Sequence, residues 1–136
     1  MINEAFDAEC DRLSRLVDPE GAEQAEWQST YGKQLDAVVD MAHKTFEKRE
    51  DLALLEATIE PKKRSFRLIY ARGKIIEVVT VWFGIAGNAP VIWAEPIPGT
   101  LYEIDMPRHY RNDSEKPIEE WVPAVMTDIM SKVRRG

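Results

Sequence analysis

The chain has 136 residues and a mass of 15.6 kDa, with 44% hydrophobic and 31% charged residues; that supports one packed domain over residues 1–136 and excludes wholesale disorder. Eighteen Lys and Arg against 24 Asp and Glu leave a net charge of −6, which disfavours a general nucleic-acid coat or an anionic-membrane binder. Cys10 is the single cysteine, so an intramolecular disulfide and any multi-cysteine zinc or iron–sulfur site are excluded.

The N-terminus, Met1-Ile2-Asn3-Glu4, is acidic and lacks the basic start and apolar stretch of a signal peptide. A cytoplasmic location is expected. From Asn3 to Val17 the spacing predicts a helix, with Ile2, Phe6, Cys10, Leu13 and Val17 recurring every three or four residues. Cys10 on that stripe is expected to be a small buried hydrophobe. Asp18-Pro19-Glu20-Gly21 stops the helix. Residues 22–31 can form a short helix anchored by Trp27 and Tyr31. Gly32 then opens a clearer one, Lys33 to Arg49, whose stripe is Leu35, Val38, Val39, Ala42 and Phe46.

Strands follow. Leu52–Ile59 is the first, Pro61-Lys62-Lys63 a turn, and Ser65–Ala71 the second, with Phe66, Leu68 and Tyr70 on one face. Arg72-Gly73 marks a tight turn. Ile75–Phe83, rich in β-branched and aromatic residues, is the strongest strand and should pair with the second as a hairpin. It is apolar on both faces, with Ile75, Val79, Val81 and Phe83 one way and Ile76, Val78 and Trp82 the other. Cover on both sides is therefore expected, from helices on one and from a curled sheet, the last helix or a second subunit on the other. Residues 84–90 read as a loop, Val91–Glu95 as a short strand, Leu101–Met106 as an edge strand and Pro107–Lys116 as polar loop. The last helix is expected from about Val122, with Pro123 in its first turn and Val122, Val125, Met126, Ile129 and Val133 buried. The predicted class is α+β: N-terminal helices and a C-terminal helix on one antiparallel sheet of four to five strands, open or curled on itself.

Charge is uneven. Residues 1–60 carry a net −9 and residues 61–136 a net +3. Four constellations could carry chemistry. Asp36, Asp40, His43 and Glu47 share one helix face and are weak metal-ligand candidates, although zinc normally brings further His or Cys and a solvated acidic face fits the same spacing. Arg108, His109, Tyr110 and Arg111 of the last loop, and Glu95 at the end of the strand Val91–Glu95, are candidates for a ligand or anion site, because two guanidiniums around His and Tyr can hold a phosphate or carboxylate. Lys62, Lys63, Arg64, Arg67, Arg72 and Lys74 form a basic stretch with Phe66 and Tyr70 interleaved, a nucleic-acid candidate that strand alternation divides between two faces. Trp82, Trp93, Tyr102 and Trp121 are partner-binding candidates if they line an exposed face, and core residues if they do not.

No Gly-x-Ser-x-Gly, His-Glu-x-x-His or phosphate-loop pattern occurs, so no catalytic residue, cofactor or metal is expected. The leading reading is a small acidic protein-binding module without catalysis, of the adaptor, secretion-type chaperone or immunity/inhibitor kind, with a protein partner or a second copy (a homodimer). The alternatives are a ligand-binding or enzymatic domain with a pocket between sheet and helices, and nucleic-acid binding through residues 62–74.

Overall fold

The computed structural model describes residues 3–105 and 109–136. Among the described residues four α-helices and seven strands occur in the order α1 (Glu4–Val17), α2 (Pro19–Trp27), α3 (Lys33–Phe46), β1 (Leu52–Ile59), β2 (Lys63–Tyr70), β3 (Ile76–Ala86), β4 (Ala89–Pro96), β5 (Tyr102–Ile104), β6 (His109–Arg111), α4 (Ile118–Lys132) and β7 (Val133–Arg135). An open five-stranded antiparallel sheet, β1-β2-β3-β4-β6, carries α3 and α4 on one face. A separate two-stranded sheet joins β5 to β7. The class is α+β, as the order of helices, strands and a last helix implies.

The helices begin where backbone donors find a side-chain acceptor. Asn3 accepts from the Phe6 amide at 3.1 Å and caps α1. Asp18 accepts from the Gly21 amide at 3.1 Å, and Pro19 occupies the first helical position. The Asp-Pro pair therefore ends one helix and starts the next, and α2 begins three residues before the expected point. Gly32 opens nothing: its φ of −59° is helical, and one π-helical turn, Gln28–Gly32, runs straight into α3.

The core lies between α3, α4 and one face of the sheet. The five predicted stripe residues of α3 are all buried. They meet Phe66 and Leu68 of β2, Val79, Val81 and Phe83 of β3, and Ile92 and Ala94 of β4. From α4 come Trp121, Val122, Val125, Met126 and Ile129. That helix starts at Ile118, one turn earlier than expected, with Pro117 as its N-cap residue. Pro123 thus lies inside the helix, where its missing N–H removes the helical hydrogen bond to the Glu119 carbonyl.

Two further expectations change. Residues 109–111, taken for loop, form the edge strand β6 against Val91–Trp93. Residues 102–104 pair with the C-terminal strand instead of the main sheet. The β3–β4 connection is also tighter than the expected loop. Ala86 pairs with Ala89, leaving a two-residue turn with Gly87 at φ +65° in its first central position, where glycine fits without strain.

At the other end of the sheet Asp51 leads into β1 and ties two loops. Arg49 donates to both carboxylate oxygens at 2.9 and 2.8 Å, and Arg72 lies 3.9 Å away. Those Arg49 hydrogen bonds hold the Asp51 carboxyl below the ordinary carboxylate range, against partial cover that pushes it up. A depressed folded value gives stability that is complete above the unfolded pKa, about 3.9, and is lost as pH falls through the folded value. Asp51→Asn is therefore destabilising at pH 7, and its deficit shrinks in acid. Urea unfolding of both proteins at neutral pH and near pH 3 measures this; an equal deficit at both would refute it.

Candidate binding surfaces

The second face of the sheet is uncovered, contrary to the expectation of cover on both. The β3 residues divide cleanly: Val79, Val81 and Phe83 are at most 1% exposed, whereas Thr80 and Trp82 are half-buried and Glu77 is exposed. A bulge between Leu68 and Ile69 turns Val78 toward the core and removes it from the outer face. Ile75 lies outside the strand and is exposed. The outer face is therefore less apolar than strict alternation predicts.

One transverse row dominates it. Trp82 pairs with Trp93, and Trp93 with His109. The indoles stack with centroids 5.9 Å apart and planes within 5°, and His109 stacks on Trp93 at 5.3 Å. The Lys63 ammonium lies 5.1 Å from the centroid of the Trp82 ring. Glu95 accepts the Trp82 indole N–H at 3.1 Å. Each indole already has two neighbours in the row, Lys63 and Trp93 for Trp82 and Trp82 and His109 for Trp93.

The other candidates are dispersed. Trp121 is 8% exposed and belongs to the core, so it is no partner contact. Tyr102 lies half-buried on the small sheet, away from the tryptophan row. In the 108–111 group, Arg108 lies outside the described residues. The others alternate along β6: His109 and Arg111 share the outer face, and Tyr110 points to α4, where its hydroxyl bonds to Asp128. Arg111 donates to the Ala86 carbonyl at 3.1 Å and to Asp113. It borders an open polar cleft of about 310 Å³ shared with Gln34, Asn88 and Lys116. The loop beside this cleft is fixed by Asn112, buried at 7% exposure, which accepts from the Lys116 amide at 3.0 Å and donates to its carbonyl at 2.8 Å. The described members do not converge on one anion.

Five of the six basic candidates already have acidic partners. Lys62 pairs with Glu23, Lys63 with Glu60, Arg64 with Asp36, Arg67 with Glu77 and Arg72 with Asp51, while Lys74 is exposed. Four of these five pairs join the basic half of the chain to its acidic half. The α3 acidic face does not gather either: Asp36 meets Arg64, His43 packs edge-on against Phe66 at 4.9 Å, and Asp40 and Glu47 are exposed. Among the described residues, no three His, Cys, Asp or Glu come together as a metal site.

The surface that sequence periodicity locates but misplaces is α1. None of its residues is buried. Phe6, Leu13, Leu16 and Val17 are 64, 53, 70 and 76% exposed, and Cys10, expected inside, is exposed. The helix packs on α2 through a polar seam, where Arg15 reaches Glu26 at 3.7 Å. Beside the seam runs an open groove of about 510 Å³ lined by Leu13, Val17, Ala22 and Ala25. Residues 1–32 hold eight acids and two arginines. Among the described residues no helix is long and apolar enough to cross a membrane. Comparison with known proteins gives no match: no protein-family model, no curated protein and no solved structure is similar to this chain.

Proposed function

We propose that the chain is a cytoplasmic, non-catalytic protein-binding module whose acidic two-helix arm, α1 with α2, takes a basic amphipathic segment of a partner protein. The carrying observation is the apolar stripe of α1, open to water along its whole length. A lone helix of about 12–15 residues is marginal in water, and amphipathic helices draw most of their stability from a covered face. A helix laid into the groove beside Leu13, Val17, Ala22 and Ala25 supplies that cover. The rim selects the sign of the visitor. At about 100° per residue Asp7 flanks the stripe and Asp18 borders the groove, while Glu9, among the stripe residues, is held by Arg12 at 3.0 Å. A second arm of the same charge is repelled and a basic segment is attracted.

The probe is a fluorescein-labelled Leu/Lys amphipathic peptide about 18 residues long. It is expected to bind in the micromolar range by fluorescence anisotropy, while its Leu/Glu counterpart does not. Leu13→Glu with Val17→Glu is expected to weaken binding at least roughly tenfold, since two apolar side chains lose their cover. The substitutions add negative charge, so a purely ionic association would tighten instead. Equal or tighter binding to the double variant, or no binding of the Leu/Lys peptide, would overturn the proposal.

A further inference from the structure

The two edges of the five-stranded sheet differ. β6 is three residues long, whereas β1 runs for eight and pairs only with β2 among the described residues. The Asp51 carbonyl accepts from the Ala71 amide at 2.8 Å, so its backbone faces β2. Alternation then turns the backbone groups of Leu52, Leu54 and Glu56 to the free side. Edge strands are commonly guarded by proline, lysine or a bulge. A bulge after Glu56 guards one end, but Leu52–Glu56 itself carries neither proline nor lysine. The side chains beside this open stretch are of two kinds. On the outer side Ala53 is exposed and Leu55 is 48% exposed. On the helix side stand acids. Glu56 lies opposite Phe66, and His43 packs on that same ring. Contacts of Asp36 with Arg64 and of His43 with Phe66 fix one face of α3 over β2, beside β1. Asp40 and Glu47 share that face. Asp40, Glu47 and Glu56 are exposed and have no cationic partner among the described residues.

We infer that β1 takes an extended segment of another protein as an added antiparallel strand, with basic residues on the α3 side and apolar residues on the Leu55 side. Main-chain hydrogen bonds to Leu52, Leu54 and Glu56 supply affinity, and the alternating side chains supply selectivity. Residues directly opposite those three project to the α3 side, so they are the basic ones and meet Asp40, Glu47 and Glu56. A second copy does not fit. Two-fold pairing of β1 with β1 continues the sheet and sets both α3 helices on one side of it, which brings the acids of the two copies face to face. The arm takes a helix and this edge takes a strand, so the inference does not rest on the proposed function.

Fluorescence anisotropy of the full chain with a fluorescein-labelled alternating Lys/Val peptide, about eight residues long, tests it. Binding is expected in the micromolar range. Methylating the backbone nitrogens of the lysines, whose N–H groups face β1, is expected to weaken binding at least roughly tenfold, whereas methylating those of the valines changes it less than about twofold. Charge and side chains are the same in both peptides, and the comparison needs no variant of the chain. Glu47→Lys with Glu56→Lys, at two exposed positions, is also expected to weaken binding at least roughly tenfold. No binding, equal effects of the two methylation patterns, or undiminished binding to the charge variant would each overturn the inference. Loss of binding in Leu13→Glu with Val17→Glu would overturn it by placing the peptide on the arm. A dimer of the chain that the peptide displaces in sedimentation velocity would overturn it by giving the edge to a second copy. The helical probe for the arm is a different molecule, so either reading can fail alone.

Discussion

Replacing Phe83 by alanine is expected to cost about 3–5 kcal/mol of folding stability, while Trp82→Ala, one residue away on the same strand, costs about 1–2 kcal/mol. Phe83 is fully buried and meets Phe66 edge-on at 5.6 Å between the sheet and its helices. Its removal leaves a cavity that rigidly packed neighbours on β2, β4 and α3 fill only in part. Trp82 faces the other way and loses the stack with Trp93, the Lys63 contact and the Glu95 hydrogen bond, all in partial contact with water. Urea unfolding with a common m-value measures both, at protein concentrations low enough to keep the chain monomeric. Small domains are stable by only about 5–15 kcal/mol, so the Phe83 variant gives up a large share of the total. Similar losses at the two positions would mean that both faces are packed, and the one-sided sheet would be wrong.

The β3 strand illustrates what sequence periodicity can and cannot reach. Its β-branched run, its hairpin with β2 and the inward set Val79, Val81 and Phe83 follow from period-two patterning. Cover on the second face is what Ile76, Val78 and Trp82 imply. Ile75 falls outside the strand, and the bulge turns Val78 inward. A bulge is an insertion into a pairing register, and alternation along one strand carries no trace of its partner.

The tryptophan row was half legible. Trp82 and Trp93 are equidistant from Gly87-Asn88, so a two-residue turn there pairs them directly. A seven-residue loop over 84–90 leaves no such relation between the two indoles. His109 had no local signal, because a three-residue edge strand is too short to show a period and its place depends on β4. For α1 the periodicity locates the helix and its stripe but not that the stripe is left exposed within this chain. Amphipathicity states that a face favours burial, and burial within the chain is only one way to meet it. The outward Cys10 follows from that same gap.

Arg64 separates the surface and interior readings of the basic stretch. It lies on the core side of β2, opposite Ile59 and Phe83, and its guanidinium reaches Asp36 on α3. The side chain is only 17% exposed, and its Nε is buried without a hydrogen-bond partner. A guanidinium in that position has given up hydration for a single ion pair and one unmet donor. Removing the acid alone is therefore worse than removing the base. Asp36→Ala strands a covered cation and is expected to cost about 1–3 kcal/mol, below the range for fully buried pairs because Asp36 is 46% exposed. Arg64→Met keeps the length and the apolar stem of the side chain, removes the unmet donor and leaves a carboxylate that water can solvate. It is expected to lie within about 1 kcal/mol of wild type, on either side. Chemical denaturation of the two variants decides the order. A more damaging Arg64→Met than Asp36→Ala would mean that the ion pair itself holds β2 to α3. The predicted order instead assigns that work to Phe66, Leu68 and the α3 stripe, with Arg64 tolerated at the margin of the core. A guanidinium so placed, turned toward a helix and covered by it, is not available to a phosphate backbone.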